Sequence, residues 1–334
     1  MGEFGNDGLA VVLSSGGGRG AFECGAIEGL IEKYGPGWSP DILVGTSIGA
    51  MNAAVWAVGE VEGDGAGRVG KMWDEIRTRD MHRFWRLRPW NSILYRRAWR
   101  RTLERYAPED LLAKTEKRLY IVATDIQTGR PVIFTNERER SMIPFDRTIP
   151  SDRYEHITYQ QVKKIQYMHL LASSAIPYVY PWVNVSLKVK VAPESDGTEC
   201  QDHRLWDGVL MYSSPLQPAI DAGARPIWVV LLAPFFERDG HDLPEPGCGI
   251  LAKIGYLIDL ATMATFENDY EQMRKSHPEI KCQIIAPDQW FTLRDYLSYR
   301  KGRKETLRCL GREAAARAWQ RFQERGWDSD QLVP

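Results

Sequence analysis

The sequence predicts an α/β protein with a central, mostly parallel sheet flanked by helices. Two observations lead to this prediction. Short, fully apolar runs end in glycine-rich turns, and helical segments follow those turns. Strands buried on both faces appear as continuous apolar runs, and a repeated strand–turn–helix order is typical of a parallel sheet covered by helices.

The opening of the chain contains two such units. The first has an apolar strand at 9–13, a glycine-rich turn at 14–18 and a helix at 21–34. The second has a strand at 41–44, a sharp turn at 45–49 and a small-residue helix at 50–58. Each unit therefore predicts one parallel strand and the helix that covers it.

Further elements follow the same rules. Later strands are predicted at 118–124, 131–135 (as a hairpin partner), 228–233 and 282–286. Later helices are predicted at 168–175, 249–274 and 307–326. The most polar stretch, 194–202, is predicted to be a loop.

The composition is that of a soluble globular protein. The 334 residues carry a net charge of −1, with 43% hydrophobic and 26% charged residues, so no nucleic-acid partner is expected. Five widely spaced cysteines without a C-x-x-C pair argue against a disulfide framework or zinc site. The longest apolar run, 226–236, is shorter than the roughly 20 residues that span a bilayer. With no signal sequence evident, a cytoplasmic or membrane-peripheral location is expected, and export without a signal peptide stays open.

A candidate nucleophile, Ser47, lies in the second turn. It stands in a G-x-S-x-G pattern with Gly45 and Gly49, whose missing side chains let strand and helix approach and leave the serine at an exposed, strained tip. The next helix directs its N-terminus at the serine, where N–H groups favour a developing oxyanion. Because the pattern also occurs by chance, a helix cap is the alternative interpretation of Ser47.

The loop after the first strand is a candidate oxyanion hole. Residues 15–20 read Ser-Gly-Gly-Gly-Arg-Gly. The N–H groups of Gly16, Gly17 and Gly18 have no side chains in the way and can bind an oxyanion or a phosphate. Arg19 either orders this loop or faces a phosphate, and Gly20 closes it.

The same loop also allows a nucleotide-binding interpretation. A P-loop needs G-K-[ST], which is absent. Gly16, Gly18 and Ala21 formally meet the dinucleotide pattern G-x-G-x-x-[GA]. The carboxylate about 20 residues on, Asp41, begins the next strand, however, and the ribose contact belongs at its end. A nucleotide-binding Rossmann-like domain is therefore the weaker alternative.

No histidine is marked as the base for Ser47. None of the six stands in a segment typical of a catalytic loop: His82, His156, His169, His203, His241 and His277. Asp207, followed by Gly208, instead ends a predicted strand. A carboxylate in a partly dry site can act directly as the base for a serine.

Together these motifs resemble the patatin-like phospholipase family. The matches are Arg19-Gly20, the turn at 45–49 and Asp207-Gly208, with further similar stretches at 123–129, 172–177 and 215–224. The resemblance covers about residues 9–290. It places a catalytic domain at 8–290 and a C-terminal helical extension, packed on it, at 291–334.

The resemblance implies a three-layer sandwich that acts as a lipid acyl hydrolase, a serine esterase of the phospholipase A type. Ser47 and Asp207 would form a Ser-Asp dyad that cleaves carboxylic esters of phospholipids or other acyl lipids through an acyl-enzyme. The glycine-rich loop would supply the oxyanion hole, with Ile48 as a further donor. Neither a metal nor another cofactor is implied.

Three positions depart from the family pattern. Ser15 replaces the first loop glycine, Val209 stands in the third position of D-G-[GA], and Ser213 falls where asparagine is common. Val209 beside the base either narrows the pocket or marks reduced activity, so a catalytically weakened lipid-binding relative is a second alternative.

The segment from Arg77 to Arg105 combines arginine with tryptophan. Its ten arginines are offset only by Asp80 and Glu104, and three tryptophans lie among them: Trp85, Trp90 and Trp99. This pattern suits a peripheral contact with an anionic lipid surface. It also suits a solvated helical face with buried tryptophans, and the sequence leaves both interpretations open.

Overall fold

A computed structural model of the protein describes residues 8–81, 96–137, 148–149, 157–190, 198–235 and 250–328. Ten strands within these residues belong to one sheet: β1 (Ala10–Leu13), β2 (Ile42–Thr46), β3 (Arg118–Asp125), β4 (Arg130–Thr135), β5 (Thr148–Ile149), β6 (Ile157–Gln161), β7 (Val183–Lys190), β8 (Thr198–Asp207), β9 (Ile227–Val230) and β10 (Cys282–Ile285).

The helices of the described residues lie on both faces of this sheet. They are α1 (Gly20–Tyr34), α2 (Ile48–Glu62), α3 (Gly67–Glu75), α4 (Thr78–Met81), α5 (Arg96–Tyr106), α6 (Glu109–Leu112), α7 (Tyr167–Ser173), α8 (Gln217–Asp221), α9 (Ile250–Ser276), α10 (Leu293–Leu297) and α11 (Lys301–Arg325).

The strand order is β10-β9-β1-β2-β3-β4-β6-β5, and β8 pairs with both β3 and β7. Strands β10, β9, β1, β2 and β3 run parallel to one another. Strand β4 is antiparallel to β3, and β8 is antiparallel to β3 and β7. Since the parallel strands share one direction, their carboxyl ends meet along one edge, where loops of α/β proteins place functional groups.

Alternate residues of the strands enter two separate cores. Val11 and Leu13 of β1 face a core that includes α1, α2 and α11, whereas Ala10 and Val12 face a core that includes α8 and α9. Both faces of the central strands are therefore covered, which explains their continuous apolar runs. The predicted three-layer sandwich is confirmed.

The predicted polar loop at 194–202 is wrong for its second half. Residues 198–202 belong to β8, which pairs with β7 in a long antiparallel hairpin. The first half of β8 is mostly exposed, so it lacks the apolar pattern by which strands are recognised. The hairpin matters because β8 carries Asp207 at its end.

The C-terminal helix α11 packs closely on α1. A Cβ placed on Gly25 would lie 1.9 Å from the carbonyl oxygen of Arg308, and one on Gly311 would lie 2.0 Å from that of Phe22. Glycine is therefore required on both sides of this contact, since any side chain would separate the two backbones. Leu307 and Ala315 of α11 enter the same core as α1.

Two further predictions concern the cysteines and the membrane. Cys24, Cys200, Cys282 and Cys309, the cysteines of the described residues, are free thiols. In the described part of the chain, no helix combines the length and the apolar character that crossing a bilayer requires.

Candidate active site

Ser47 occupies a strained turn between β2 and α2. Its backbone angles are φ 57° and ψ −119°, a region that side-chain-bearing residues rarely enter. The turn can close only because of its glycines. A Cβ on Gly45 would lie 2.5 Å from the backbone nitrogen of Ala50, and one on Gly49 would lie 2.4 Å from the carbonyl oxygen of Leu13.

Strand β3 brings Ser47 and Asp207 together. Strand β2 ends with Thr46 paired to Val122, and β8, running in the opposite direction, ends with Asp207 paired to Ala123. Because Val122 and Ala123 are consecutive, the two strand ends meet head to head along one edge of β3. Ser47 follows Thr46 directly, so the serine lies next to the carboxylate.

Asp207 is fully buried and firmly held. Its backbone N–H donates to the carbonyl of Ala175 at 2.9 Å, and its carbonyl accepts from Thr124 Oγ1 at 3.0 Å. Its side-chain Oδ1 accepts from the Val209 N–H at 2.9 Å. Burial raises the pKa of the Asp207 carboxyl to about 7, while hydrogen bonds from the Val209 N–H and the Ser47 hydroxyl partly oppose that rise.

The contact between Ser47 and Asp207 is loose. Asp207 Oδ2 is buried and has no hydrogen bond of normal length to any described residue. The Ser47 hydroxyl nevertheless lies near enough to lower the pKa of Asp207 by hydrogen bonding. Catalytic hydrogen bonds are often long before the substrate binds and tighten afterwards.

Two pairs of serines fasten the glycine-rich loop to the segment after Asp207. Ser15 Oγ lies 2.8 Å from Ser213 Oγ, and the Ser15 N–H donates to the Ser213 carbonyl at 3.0 Å. Ser14 Oγ lies 2.7 Å from Ser214 Oγ. Ser15 and Ser213 are two of the three departures from the family pattern, and the structure brings these two departures into direct contact.

The glycines of the loop follow β1 at the carboxyl edge of the sheet. No hydrogen bond from the N–H groups of Gly16, Gly17 or Gly18 to a loop carbonyl or a side chain is seen among the described residues. Gly20 begins α1, and its N–H donates to the carbonyls of Gly17 and Gly18. The loop therefore turns its carbonyls toward α1 and leaves N–H groups to bind negative charge.

Arg19 orders the loop. Its guanidinium is buried and forms a two-pronged ion pair with Asp259 of α9, at 2.6 and 3.0 Å. It also donates to the carbonyl of Phe291 at 3.1 Å and lies over the ring of Tyr296, 5.1 Å from its centre. These contacts fit the first of the two predicted roles of Arg19, which is to order the loop.

A buried network that the sequence analysis missed joins the loop to the helix after Ser47. Asn52 of α2 donates to the carbonyl of Gly20 at 3.1 Å and to Glu23 at 2.7 Å. The Trp73 indole donates to Asn52 Oδ1 at 2.8 Å. Burial raises the pKa of Glu23 well above its usual value. The network fixes α1 and α2 to each other behind the candidate site.

Two serines of α7 and the turn after it also support the site. The Ser47 N–H donates to Ser173 Oγ at 2.9 Å, and the Trp99 indole donates to the adjacent Ser174 Oγ at 2.6 Å. Trp99 is buried, as the interpretation of the segment as a helical face with buried tryptophans expects for this residue. It lies on the inner face of the amphipathic helix α5, where its ring packs in the core and its N–H meets a polar partner.

The rest of the arginine-rich segment is partly outside the described residues. Trp85, Trp90 and three arginines at 83, 86 and 88 fall there. Within α5, Arg101 is exposed. Arg100 pairs with Glu104 and Arg105 with Glu75, at 2.9 and 2.5 Å.

The described histidines have partners other than Ser47 and Asp207. His169 Nδ1 accepts from the Gln166 N–H at 3.0 Å, and burial lowers its pKa to about 3. His203 Nδ1 lies 2.9 Å from Asp125 Oδ2. His277 lies beside Glu279. The remaining three histidines fall outside the described residues.

Asp41 does not support a dinucleotide site. It stands just before β2, at the opposite edge of the sheet from the glycine-rich loop, and its carboxylate pairs with Arg118 at 2.5 Å. Its backbone N–H donates to the carbonyl of Leu9, just before β1. The whole length of β1 therefore separates this carboxylate from Gly16.

Comparison with known proteins identifies the family of the chain. The family model of the patatin-like phospholipases matches residues 11–220, more than half of the chain. One similar solved structure is VipD from Legionella pneumophila, with 11% identity and a TM-score of 0.42 over 93% of this chain. The chain spans 66%, just under two thirds, of the length of that structure. No curated protein sequence matches. The family match shows that the chain belongs to the patatin-like phospholipases, a family of lipid acyl hydrolases.

Proposed function

We propose that the protein hydrolyses carboxylic esters of acyl lipids, with Ser47 as nucleophile and Asp207 as general base. The observation that carries this proposal is the meeting of β2 and β8 along β3, which sets a strained serine beside a buried carboxyl. Its pKa of about 7 suits a base that works near neutral pH.

The reaction follows from the positions of these groups. Ionised Asp207 takes the proton of the Ser47 hydroxyl as Oγ attacks the ester carbonyl. The N–H groups of Gly16, Gly17 and Gly18, with that of Ile48 as a further donor, stabilise the oxyanion. The intermediate expels the alcohol, which takes the proton back from Asp207, and leaves an acyl-enzyme. Water, deprotonated by Asp207, then attacks the acyl carbon. The bond to Ser47 Oγ breaks, the fatty acid leaves, and Ser47 takes the proton back from Asp207.

Exposed apolar side chains near the site support a lipid substrate. The large apolar residues that are exposed in the described chain are Tyr178, Leu210, Leu257, Ile258 and Leu297. Each lies within four residues of a group that contacts the site: Leu210 follows Asp207, and Ile258 precedes Asp259, the partner of Arg19. Exposed apolar side chains beside site residues in the sequence suit substrates that are presented by a lipid surface.

Product analysis by mass spectrometry on phospholipids, galactolipids and neutral lipids tests the proposal. Ser47→Ala and Asp207→Asn should each lower turnover by roughly 10³-fold or more. Ser39→Ala is the matched control, because Ser39 is a buried serine whose hydroxyl has no hydrogen bond among the described residues. Turnover within tenfold of wild type in either dyad variant would overturn the mechanism. If the wild-type protein binds lipid but hydrolyses none, the alternative of a catalytically weakened lipid-binding relative would be favoured.

A peripheral membrane contact through the exposed arginines of α5 is a separate part of the proposal. It rests on the arginine-rich sequence from Arg77 to Arg105 and on the exposure of Arg101. Binding to vesicles with anionic lipid should weaken as salt rises, and Arg101→Glu should weaken it further. Arg274→Glu, an exposed arginine of α9, is the control. Equal binding to neutral vesicles at every salt concentration would contradict this contact.

A further inference from the structure

The segment at 291–299 lies directly on the glycine-rich loop. A Cβ on Gly17 would lie 2.3 Å from the carbonyl oxygen of Tyr296 and 2.8 Å from its ring carbon Cδ1. A Cβ on Gly18 would lie 2.4 Å from the carbonyl of Asp295 and 2.6 Å from that of Ser298. Since no side chain fits between them, the two backbones touch, and a shift of one moves the other.

This segment is itself held in place. The Thr292 side chain and backbone N–H both bond to Asp295 at the start of α10, at 2.9 and 2.8 Å. Arg303 of α11 forms a two-pronged pair with Asp295, at 2.5 and 2.8 Å. Helix α10 is therefore held in place where Tyr296 contacts the glycine-rich loop.

The Tyr296 side chain also contacts the glycine-rich loop. Its ring lies under the Arg19 guanidinium, which also bonds to the Phe291 carbonyl. Burial and the charge of Asp207 both raise the pKa of Tyr296, so the phenol is neutral and within electrostatic reach of the candidate base. The Ser15 hydroxyl lies near enough to lower the pKa of Tyr296 by hydrogen bonding, and it lies 2.8 Å from Ser213 Oγ.

We propose that Tyr296 is a positioning residue of the active site, which holds the glycine-rich loop in register with Ser47 through its contacts with Gly17 and Arg19. The proposal rests on the hydrolase function proposed above. It extends the site to a residue well outside the matched range 11–220. Tyr296 takes no proton in the reaction. It acts by keeping the N–H groups of the glycine-rich loop in position to bind the oxyanion.

Two measurements separate this role from a structural one. Complete reaction with a fluorophosphonate counts the active sites, and steady-state kinetics on a soluble short-chain ester then gives kcat per counted site. Tyr296→Ala should lower kcat per counted site by about 10- to 100-fold, with KM changed less than threefold, because transition-state stabilisation is what is lost. Tyr296→Phe keeps the ring on Gly17 and under Arg19, and should recover most of that loss.

Arg294→Ala is the control, because Arg294 is an exposed residue of the same helix, α10. It should retain wild-type kcat. The positioning role is overturned if Tyr296→Ala retains kcat per counted site within twofold of wild type, or if its loss appears only as fewer countable sites. A wild-type rate in Ser47→Ala would instead overturn the hydrolase mechanism, whatever Tyr296→Ala shows.

Discussion

Arg19 Nη1 lies 2.6 Å from Asp259 Oδ1, and Arg19 Nη2 lies 3.0 Å from Asp259 Oδ2. This buried ion pair joins the glycine-rich loop after β1 to the middle of α9, 240 residues further along the chain. Both side chains are removed from water, and the burial of Asp259 raises its pKa against the opposing effect of Arg19. Arg19 therefore fixes the glycine-rich loop to α9.

Breaking this pair from one side should be costly. Arg19→Met and Asp259→Leu each leave one buried charge unpaired, and each should lower the free energy of unfolding by about 3–5 kcal/mol. The double variant should lose less than the sum, because no unpaired charge remains. Urea unfolding of the four proteins measures this coupling. Effects that add within about 0.5 kcal/mol would show that the two residues act independently.

The pKa of Asp207 predicts how activity depends on pH. A base must be ionised to take the serine proton, so kcat/KM should rise as pH passes through about 7 and level off above it. Below that pH the rate should fall about tenfold per pH unit. A pH profile on a soluble ester whose hydrolysis is not itself pH-dependent in this range provides the measurement. A flat profile from pH 5 to 9 would exclude Asp207 as the titrating base.

The same carboxyl predicts a change in stability with pH. Its pKa is about 7 in the folded protein and 3.8 as the ordinary value, so the folded state binds the proton more tightly. This contribution to stability is complete below about pH 4 and is lost as pH rises to about 7. The Asp207→Asn variant has no carboxyl to titrate, so it does not lose this stability as pH rises. Its free energy of unfolding relative to wild type should therefore increase by about 2–3 kcal/mol from pH 5 to pH 8, which is the part above pH 5 of a full difference of about 4 kcal/mol. A constant difference would contradict the raised pKa.

The glycines of the turn around Ser47 predict a steric effect. In Gly49→Ala the new Cβ would meet the carbonyl oxygen of Leu13 at 2.4 Å, so strand and helix must separate. Thermal unfolding should show a loss of about 2 kcal/mol or more, together with a lower esterase rate. The matched control is Gly302→Ala in α11, where nothing lies within 4 Å and alanine should be neutral or slightly stabilising. Equal stability of the two variants would contradict the close approach.

Much of the central sheet could be predicted from the sequence, because its strands are buried on both faces. Strands β1, β2, β3, β4, β9 and β10 lie within a few residues of the predicted bounds. The hairpin of β7 and β8 could not be predicted in the same way. Strand β7 alternates buried apolar residues with exposed polar ones, a period-2 pattern that the sequence analysis missed, and the first half of β8 is polar and exposed. Even so, the end of β8 at Asp207 was correctly predicted from its apolar neighbours.

Site residues that stand in a sequence motif could be predicted. Site residues that act through a partner far away in the sequence could not. Ser47 and Asp207 follow strands in recognisable patterns. The partner of Arg19 lies in α9. Tyr296 lies in a five-residue helix whose Thr292–Asp295 capping box marks a helix start and not a contact with the loop. Asn52 and Ser173 contact the site through single hydrogen bonds that no spacing rule indicates. These contacts exist only once the chain has folded.

Covalent labelling followed by peptide mass spectrometry tests the central claim most directly. Incubation with a fluorophosphonate should add one phosphonyl group to the peptide that contains Ser47. Labelling should disappear in Ser47→Ala and slow strongly in Asp207→Asn, while Ser39→Ala should label like wild type. An adduct on another serine, or hydrolysis of acyl lipids that persists in Ser47→Ala, would contradict the assignment of Ser47 as the nucleophile.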